Sequence, residues 1–508
     1  MTQLPTPKTK ESLAGYVLSA LVALNLLLHL PFLLMEVFGE GDAARLALVS
    51  LQLAYHQEGP LQIFQDPIYS APLYVALLRL GIESGLIHPA NIIAWMTTAS
   101  YIASAVVTAA LYIFIFQLSG SNLAASGAGL LLQLNPTFWF NSIYGFPTIL
   151  AIAFLLLALV LFQSGLAKTR GVVKAALAGS AFILFGAATL VKIDASLAGV
   201  VLYLPVWQSA SRREHRLIWL AAMLGLGLGS FGLYSLYTGA LLSGQQAFTF
   251  YDVWNLRFPF DMAYFLSRAN LEIIFRSAGV FSIPAAILAS YFLAKDHKLR
   301  SALFWIATSA LIVVVFWGVR EGNSARHNLL PAVFVVMLLA LPLATRVSAR
   351  WGIILAVMCF GNYFILPPQA DTTSPSGRLA ANSTLLREAR LGLHQTGRAI
   401  SNLKEDKMAL IGNGPVQPYY LFEIFRNENY AFLNAQPYPE TRLSETHFLY
   451  QGKPRAFLWS YYSLPIEEIV RIIHRGYFAI IDDSRAATEL EKITNGDETR
   501  WLSIQDVH

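Results

Sequence analysis

Runs of apolar residues long enough to cross a lipid bilayer recur along the first 366 residues of the chain. A transmembrane helix needs about 20 mostly apolar residues, because the hydrocarbon core of a bilayer is about 30 Å thick. We count about eleven such runs on that criterion, at 13–35, 91–117, 123–141, 147–165, 174–191, 195–208, 217–238, 270–294, 301–319, 327–345 and 351–366. The pattern predicts a polytopic α-helical membrane protein with about eleven transmembrane helices.

Residues 72–86 are also apolar, but this run is short and contains Arg79 and Glu83. A segment of this kind suits a helix that lies along the membrane surface. Counting it as a span would move the later basic connections to the outer side, against the usual bias. We therefore predict an interfacial helix here.

Beyond residue 366 the pattern changes. A linker, "LPPQADTTSPSGR", precedes short segments that alternate between strand and helix patterns. The strand segments are "KMALIGNG", "NYAFLNA", "RAFLWSYY" and "YFAIIDDS", and the helix segments are "VQPYYLFEIFRN" and "PIEEIVRIIHRG". Such alternation is typical of an α/β domain. We predict a membrane domain over 1–366 and an extracytoplasmic α/β domain over 367–508.

The charges of the connections predict the orientation. Cytoplasmic loops of membrane proteins carry an excess of lysine and arginine. Every second predicted connection is basic, except the neutral "SGSN"; the basic residues are Lys8, Lys10, Lys168, Arg170, Lys174, Arg212, Arg213, Arg216, Lys295, Lys298, Arg300, Arg346 and Arg350. This predicts a cytoplasmic N-terminus. The first loop (36–90), a second large loop (239–268) and the α/β domain would then lie outside.

Composition supports the membrane class and excludes several others. Of the 508 residues, 55% are hydrophobic and 13% are charged, with a mean hydropathy of +0.51, whereas ordinary soluble domains carry roughly 25% charged residues. The net charge of +5 is spread over many short connections, so we predict membrane lipids and no nucleic acid as partners. Cys359 is the only cysteine, which excludes a disulfide within the chain. A Gly-x-Gly-x-x-Gly match beginning at Gly227 lies inside a predicted span and follows no strand, so it does not predict a nucleotide site.

Charged residues at the outer ends of the spans are the candidates for chemistry. In the first outer loop, Asp42 begins an amphipathic helix pattern and Glu40 precedes it. Helix capping and the helix dipole would explain both acids, although Arg45 stands where a capping box would have Glu. Lys192 separates two short spans beside Asp194. It is either a lysine that extends to the interface with an acidic neighbour, or part of a polar cavity.

Two further outer segments carry basic residues. "WGVREGNSARHNLLP" contains Arg320, Arg326 and His327, and arginines on the outer side run against the usual topological bias. The guanidinium group binds phosphate in a bidentate manner. The second large loop sets Arg257 among aromatic residues, a mixture that suits either a sugar or the lipid interface.

These segments, in this order, resemble the GT-C superfamily of membrane glycosyltransferases, which use polyprenyl-phosphate sugars. The superfamily includes protein O-mannosyltransferases and the aminoarabinose transferase of lipid A. The resemblance rests on "GDAARLALVSLQL", "DPIYSAPLYVALLRLG", "LVKIDAS" and "ARHNLLP", and it covers residues 1–366. The tail also resembles domains appended to many bacterial members.

The resemblance implies roles for individual residues. Asp42 matches the catalytic acid of the first loop, and Lys192 and Arg326 match positions that bind the donor phosphate. Arg320 is a further phosphate candidate because of its position in the same turn. The remaining candidates for substrate binding are Glu40, Arg45, Tyr69, Tyr74, Arg257 and His327.

The chain departs from the family pattern at two acidic positions. Ala43 follows Asp42 where many members have Glu, and "FNSIYGFPTIL" lacks the second acid of the turn after the third span. We therefore predict no metal ligands, with a divalent metal as the alternative. His327 stands where several members have Tyr.

The predicted function is an inverting glycosyltransferase with Asp42 as general base. Its donor would be a polyprenyl-phosphate sugar, and its acceptor would be a hydroxyl group on the outer face of a membrane, which we expect to be the bacterial inner membrane. The alternatives are a flippase or transporter of lipid-linked sugars, a polymerase or ligase of surface glycans, and a relative that binds without catalysis. A transporter would be expected to have repeats, broken helices and charges at mid-membrane.

Overall fold

The structure is a computed structural model of the 508-residue chain. It describes residues 7–33, 43–44, 46–47, 50–51, 54, 71–143, 145, 147–167, 171–209, 225–227, 229, 232, 261–319, 325–362, 385–403, 405–412, 417–425, 430–437, 443–450, 453–460, 464–482, 484–494 and 500–504. The chain divides into two compact units. The first comprises Met1–Met35, Met96–Gly239 and Phe248–Thr384, and the second comprises Glu36–Trp95, Ala240–Ala247 and Leu385–His508.

Apolar helices make up the first unit. In chain order they are α1 (Pro7–Leu33), α3 (Ile92–Ser119, which begins in the second unit), α4 (Asn122–Leu134), α5 (Pro136–Ile143), α6 (Pro147–Leu166), α7 (Gly171–Val191), α8 (Asp194–Ala198), α9 (Tyr203–Ser209), α10 (Met262–Phe265), α11 (Arg268–Ala278), α12 (Ser282–Lys295), α13 (Arg300–Gly318), α14 (Leu329–Ala340) and α15 (Ser348–Phe360). The 3₁₀ turns are Gly199–Leu202, Ala325–Asn328 and Leu341–Ala344, with Pro89–Asn91 in the second unit. Helix α2 (Pro72–Glu83) occupies the segment predicted to be interfacial.

Five helices in the described part of the chain are long and apolar enough to cross a membrane, or six if the bent pair α11–α12 is one span. The chain is therefore an integral membrane protein. The count of eleven spans stays a prediction, as do the orientation and the domain boundaries at 366 and 367.

Three predicted spans are interrupted in the structure. The run at 123–141 is divided between α4 and α5 at Asn135, which precedes Pro136, a residue type that disfavours helix in the position before it. Helices α11 and α12 meet at an angle of 67°, after Gly279, whose φ of 93° ends the first helix. The run at 195–208 consists of α8, a 3₁₀ turn and α9. The interruptions place polar side chains and a sharp bend inside segments that hydropathy treats as continuous.

The tail has a helix or a strand at each of the six segments predicted from its sequence. Its helices are α16 (Leu385–Ser401), α17 (Gln417–Phe425), α18 (Ile466–His474) and α19 (Ser484–Thr494), and its strands are β1 (Lys407–Gly412), β2 (Tyr430–Pro437), β3 (Leu443–Tyr450), β4 (Lys453–Ser460), β5 (Phe478–Asp482) and β6 (Trp501–Ser503). The sheet order is β2-β3-β4-β1-β5-β6, with β4, β1, β5 and β6 parallel and β2, β3 and β4 antiparallel.

The interior of the tail is apolar with one buried charged group. Ile411, Ile472 and Ile481 belong to its core. Between α16 and α17, the buried carboxylate of Glu423 contacts His394 Nδ1 at 2.6 Å and accepts a hydrogen bond from Arg398 Nε at 3.0 Å. A buried carboxylate needs such partners because desolvation otherwise destabilises it.

Candidate functional site

Lys192 lies at the break between two helices of the first unit. Helix α7 ends one residue earlier, and the Lys192 N–H still donates to the Ala188 carbonyl at 2.8 Å. Asp194 then starts α8, and the Ala195 N–H donates to the Lys192 carbonyl at 3.1 Å. The short turn between the two helices therefore carries a cation and an anion two residues apart. Both are buried, with Lys192 7% and Asp194 1% exposed.

These two charges are paired with each other and with polar groups from other helices. Lys192 Nζ lies 3.5 Å from Asp194 Oδ2 and donates to Thr148 Oγ1, at the start of α6, at 3.0 Å. Trp317 Nε1, near the end of α13, donates to Asp194 Oδ2 at 3.0 Å. A buried ion pair is stable only when its remaining hydrogen-bonding capacity is met, and Thr148 and Trp317 each supply one such hydrogen bond.

His327 joins the same cluster through Trp317. The two rings are stacked, with their centroids 3.8 Å apart and their planes 5° from parallel, and His327 is 8% exposed. Lys192 Nζ lies 5.9 Å from the centroid of the Trp317 ring. Trp317 therefore connects Lys192 and Asp194 to His327, and we call these four residues together with Thr148 the Lys192 cluster.

The turn that carries His327 is a 3₁₀ turn, Ala325–Asn328, immediately before α14. Arg326 belongs to this turn, so its backbone is adjacent to His327; its side chain lies outside the described residues. Helices α5 and α11 both pack against the turn. The sequence motif "ARHNLLP" thus forms a fixed connection beside the Lys192 cluster.

Buried amide side chains hold the surrounding helix ends in place. Asn270, which is fully buried, donates through Nδ2 to the carbonyls of Gly318 at 2.9 Å and Phe265 at 3.0 Å. The Asp261 N–H donates to the Val319 carbonyl at 2.8 Å. These hydrogen bonds fix α10 and α11 to the end of α13, directly beside Trp317. Hydrogen bonds to otherwise unpaired helix-end carbonyls stabilise such junctions.

The Lys192 cluster combines a nearly neutral ion pair with buried hydrogen-bond donors. Asp194 offsets the charge of Lys192, so the ion pair by itself adds little net positive potential. The ammonium group of Lys192 nevertheless supplies N–H donors in a buried environment, where hydrogen bonds to charged groups are strong. The net positive charge for an anion would come from the arginines of 320–326 rather than from Lys192 alone.

The predicted site residues fall into three groups. Lys192 and His327 come together in the Lys192 cluster, with Arg326 in the adjoining turn. Tyr74 is buried in α2, which belongs to the second unit. The others lie outside the described residues: Asp42, Glu40, Arg45, Tyr69, Arg257 and Arg320. The described residues contain no group of three His, Cys, Asp or Glu side chains that could hold a metal ion.

Two members of the cluster were not predicted from the sequence. Thr148 gives no local signal, since it is one small polar residue at the start of an apolar run. Trp317 opens the segment "WGVREGNSARHNLLP" but resembles any aromatic residue at a membrane interface. The only available signal was its place at the outer end of a predicted span, beside the basic turn.

No protein-family model matches the chain, and no curated protein matches it by sequence. The solved structures do match. ArnT from Cupriavidus metallidurans in the apo state has a TM-score of 0.52 and 14% sequence identity, over 81% of this chain and 85% of ArnT. The same protein bound to undecaprenyl phosphate has a TM-score of 0.51 and 15% identity, over 81% and 84% of the two chains.

A third solved structure matches with a lower TM-score. The Archaeoglobus fulgidus oligosaccharyltransferase, solved with Zn and sulfate, has a TM-score of 0.47 and 10% identity, over 80% of this chain and 61% of that one. The chain thus has the fold of ArnT. This agrees with the GT-C resemblance inferred from the sequence.

Proposed function

We propose that the chain is a glycosyltransferase that moves a sugar from a polyprenyl-phosphate donor to an acceptor hydroxyl group on the outer face of a membrane. The observation that carries the proposal is that two segments distant in the chain both lie against Trp317. One supplies Lys192, and the other supplies His327 from the turn that also contains Arg326. The shared fold supports it, since the similar protein ArnT was solved with undecaprenyl phosphate bound.

The proposed reaction is a single displacement at the anomeric carbon. The acceptor oxygen attacks that carbon while its proton passes to the Asp42 carboxylate, which acts as general base. The bond between the anomeric carbon and the phosphate oxygen breaks, and polyprenyl phosphate leaves with the bonding electrons. One displacement inverts the configuration of the sugar. A second carboxylate is unnecessary, in contrast to glycoside hydrolases, because the phosphate leaves as a stable anion.

Cations at the leaving group provide the remaining stabilisation. Lys192, Arg326 and Arg320 are proposed to bind the donor phosphate and to stabilise the charge that develops on it. Glu40, Arg45, Tyr69, Tyr74, Arg257 and His327 are proposed to contact the sugar or the acceptor. An outer face lacks nucleotide sugars, which accounts for a lipid-linked donor. We propose the bacterial inner membrane as the location, with the tail in the periplasm.

The transporter alternative would place ionisable groups at a broken helix in the middle of the membrane. The one bent helix pair in the described part of the chain, α11–α12, meets at Gly279, where Asn362 and Ser282 are the polar neighbours. The charged cluster instead lies at the junctions of α7 with α8 and of α13 with the turn Ala325–Asn328. This distribution favours a transferase over a transporter.

The test of the proposal is the Asp42→Asn variant. Purified protein is reconstituted with a panel of polyprenyl-phosphate hexoses and pentoses and with an envelope extract as acceptor, and the release of polyprenyl phosphate is measured by mass spectrometry. Loss of a general base should lower the rate by about 10²–10⁴-fold. Asp66→Asn, in the same predicted loop, is the matched control and should transfer at the wild-type rate.

Three results would contradict the proposal. Transfer by Asp42→Asn at the wild-type rate would reduce Asp42 to a helix cap. Equal losses in the Asp42→Asn and Asp66→Asn variants would point to general damage to the loop. Movement of intact donor across vesicle membranes, without release of polyprenyl phosphate, would identify a flippase instead.

A further inference from the structure

A pocket lies at the end of α13 that is opposite to Trp317. It has a volume of about 970 Å³ and is bounded by the end of α9, the turn 296–299 and the start of α13. Aromatic residues (Trp207, Phe304 and Trp305) and basic residues (His297, Lys298 and Arg300) line it. Arg300 and Trp317 are separated along α13 by about 26 Å, at 1.5 Å per residue. The pocket is therefore distinct from the Lys192 cluster.

The basic side of this pocket is a structured turn. Asp296 Oδ1 accepts hydrogen bonds from the backbone N–H groups of Lys298 at 2.9 Å and Leu299 at 3.3 Å. Arg300 Nε donates to the Ala294 carbonyl at 2.9 Å, which orients its guanidinium group. Within the described part of the chain, neither Lys298 nor Arg300 forms an ion pair, and both are exposed. His297, Lys298 and Arg300 therefore face the pocket. Neither Lys298 nor Arg300 has an acidic partner among the described residues.

The aromatic side forms a packed cluster. The Trp305 ring contacts Tyr203 at 4.8 Å, Phe304 at 4.9 Å and Trp207 at 6.0 Å between centroids. Trp207 is 44% exposed and Phe304 is 59% exposed. Tryptophan beside basic side chains is typical of the membrane interface, where the ring lies at the level of the lipid headgroups.

An apolar groove continues from this pocket along α13. The groove has a volume of about 380 Å³ and shares Arg300 and Phe304 with the pocket. Its other lining residues are Leu303, Ala307, Thr308 and Leu311, which recur at intervals of three and four and so occupy one face of the helix. From Arg300 to Leu311 the groove extends about 16 Å, close to half of the roughly 30 Å hydrocarbon core.

We propose that this pocket and groove bind one anionic phospholipid from the cytoplasmic leaflet. The phosphate group would contact Lys298 and Arg300, the glycerol region would lie against Trp207 and Trp305, and one acyl chain would occupy the groove. The charge pattern predicts that the turn 295–300 is cytoplasmic, and that leaflet is the one rich in anionic lipid. The groove ends after one leaflet, which suits an acyl chain better than a much longer polyprenyl chain.

The test measures lipid retained by the purified protein. Wild type and variants are equilibrated with mixed micelles containing either phosphatidylglycerol or phosphatidylcholine, and bound lipid is counted by native mass spectrometry. The Lys298→Gln/Arg300→Gln variant should bind phosphatidylglycerol about thirtyfold more weakly, because each basic residue at a membrane surface strengthens this binding about fivefold. Arg346→Gln/Arg350→Gln, which removes two exposed cations from another predicted cytoplasmic connection, should bind like wild type.

A second variant separates lipid binding from damage to the turn. Ala307→Trp fills the groove without removing a charge, and it should also lower phosphatidylglycerol occupancy. The proposal is overturned if phosphatidylcholine is retained equally, or if Arg346→Gln/Arg350→Gln loses as much lipid as the pocket variant. It is equally overturned if inorganic phosphate at millimolar concentration displaces the lipid, or if undecaprenyl phosphate displaces it at equimolar concentration. None of these readings depends on sugar transfer, so the proposal succeeds or fails independently of the proposed enzyme activity.

Discussion

The buried pair of Lys192 and Asp194 is the residue-scale feature on which the proposed phosphate site depends. The sequence left two explanations open, a lysine that extends to the interface beside an acidic neighbour and a lysine in a polar cavity; in the structure Lys192 is buried and paired with Asp194. The ion pair exists, and it is buried among α6, α7 and α13. The attraction between the two charges offsets part of the cost of burying them.

Replacement of Lys192 alone should destabilise the protein. Lys192→Met removes the cation that pairs with the buried Asp194 carboxylate among the described residues, which costs about 3–5 kcal/mol of unfolding free energy. The thermal midpoint of unfolding in detergent reports the loss. Arg79→Met breaks an exposed pair, Arg79–Glu83 at 2.7 Å, and should cost no more than about 0.5 kcal/mol.

The double variant Lys192→Met/Asp194→Asn separates the effect of Lys192 on protein stability from its effect on phosphate binding. It removes both charges, so the thermal midpoint should return close to that of wild type. Its affinity for undecaprenyl phosphate should still fall, by about tenfold, because the loss of one hydrogen bond to a charged group weakens binding by that order. Wild-type affinity in this stable variant would remove Lys192 from the phosphate site.

The sequence could supply three of the five members of this cluster: Lys192, Asp194 and His327. They stand out because ionisable groups at the ends of spans are rare and informative. In the described contacts, Lys192 and His327 are linked through Trp317, and its indole reaches an acid 123 positions away in the chain. A single sequence contains no measure of that distance. The first-loop acid Asp42 remains a prediction for the same reason.

At the scale of elements, hydropathy predicted where helices lie better than where they break. Four predicted runs coincide with one described helix within three residues at each end: 91–117 with α3, 147–165 with α6, 174–191 with α7 and 301–319 with α13. The breaks follow from local chemistry that averaged hydropathy ignores: Pro136 after Asn135, and Gly279 with positive φ. In the tail, the alternation of strand and helix patterns located six segments, whereas α16, β3, α19 and β6 were not anticipated.

Close packing at Gly318 should make the end of α13 sensitive to a single methyl group. A Cβ atom there would lie 2.7 Å from the Phe265 ring and 3.4 Å from Asn270 Nδ2. Gly318→Ala should therefore displace α10 and weaken the Asn270 hydrogen bonds, at a cost of about 1–3 kcal/mol. Gly352→Ala in α15, where a Cβ atom meets nothing within 4 Å, is the matched control.

The two glycine variants should shift the thermal midpoint in opposite directions. Alanine has a higher helix propensity than glycine by up to about 1 kcal/mol, so Gly352→Ala should be neutral or slightly stabilising. A thermal midpoint for Gly318→Ala equal to that of Gly352→Ala would show that α10 moves to accommodate the methyl group at no cost in unfolding free energy. The Asn270 hydrogen bonds would then contribute little to the arrangement around Trp317.

At the scale of the whole molecule, the proposed chemistry depends on orientation. The proposed donor site and the proposed phospholipid pocket lie at opposite ends of α13. The bias of basic connections predicts that the phospholipid pocket faces the cytoplasm and that the Lys192 cluster faces outward. If the orientation were reversed, the Lys192 cluster would face a compartment that contains nucleotide sugars, and the reason for a lipid-linked donor would disappear.

The single cysteine makes this orientation directly testable. In a Cys359→Ser background, Arg485→Cys places a thiol at a residue of the tail whose side chain is 89% exposed. A membrane-impermeant maleimide should label it in cells whose inner membrane is intact. Arg350→Cys, in an exposed part of a predicted cytoplasmic connection, should react only after that membrane is permeabilised. Ser324→Cys, beside the turn that contains Arg326, should behave like Arg485→Cys. Labelling of Arg350→Cys alone in intact cells would reverse the topology and would refute both an outward transferase site and a cytoplasmic phospholipid pocket.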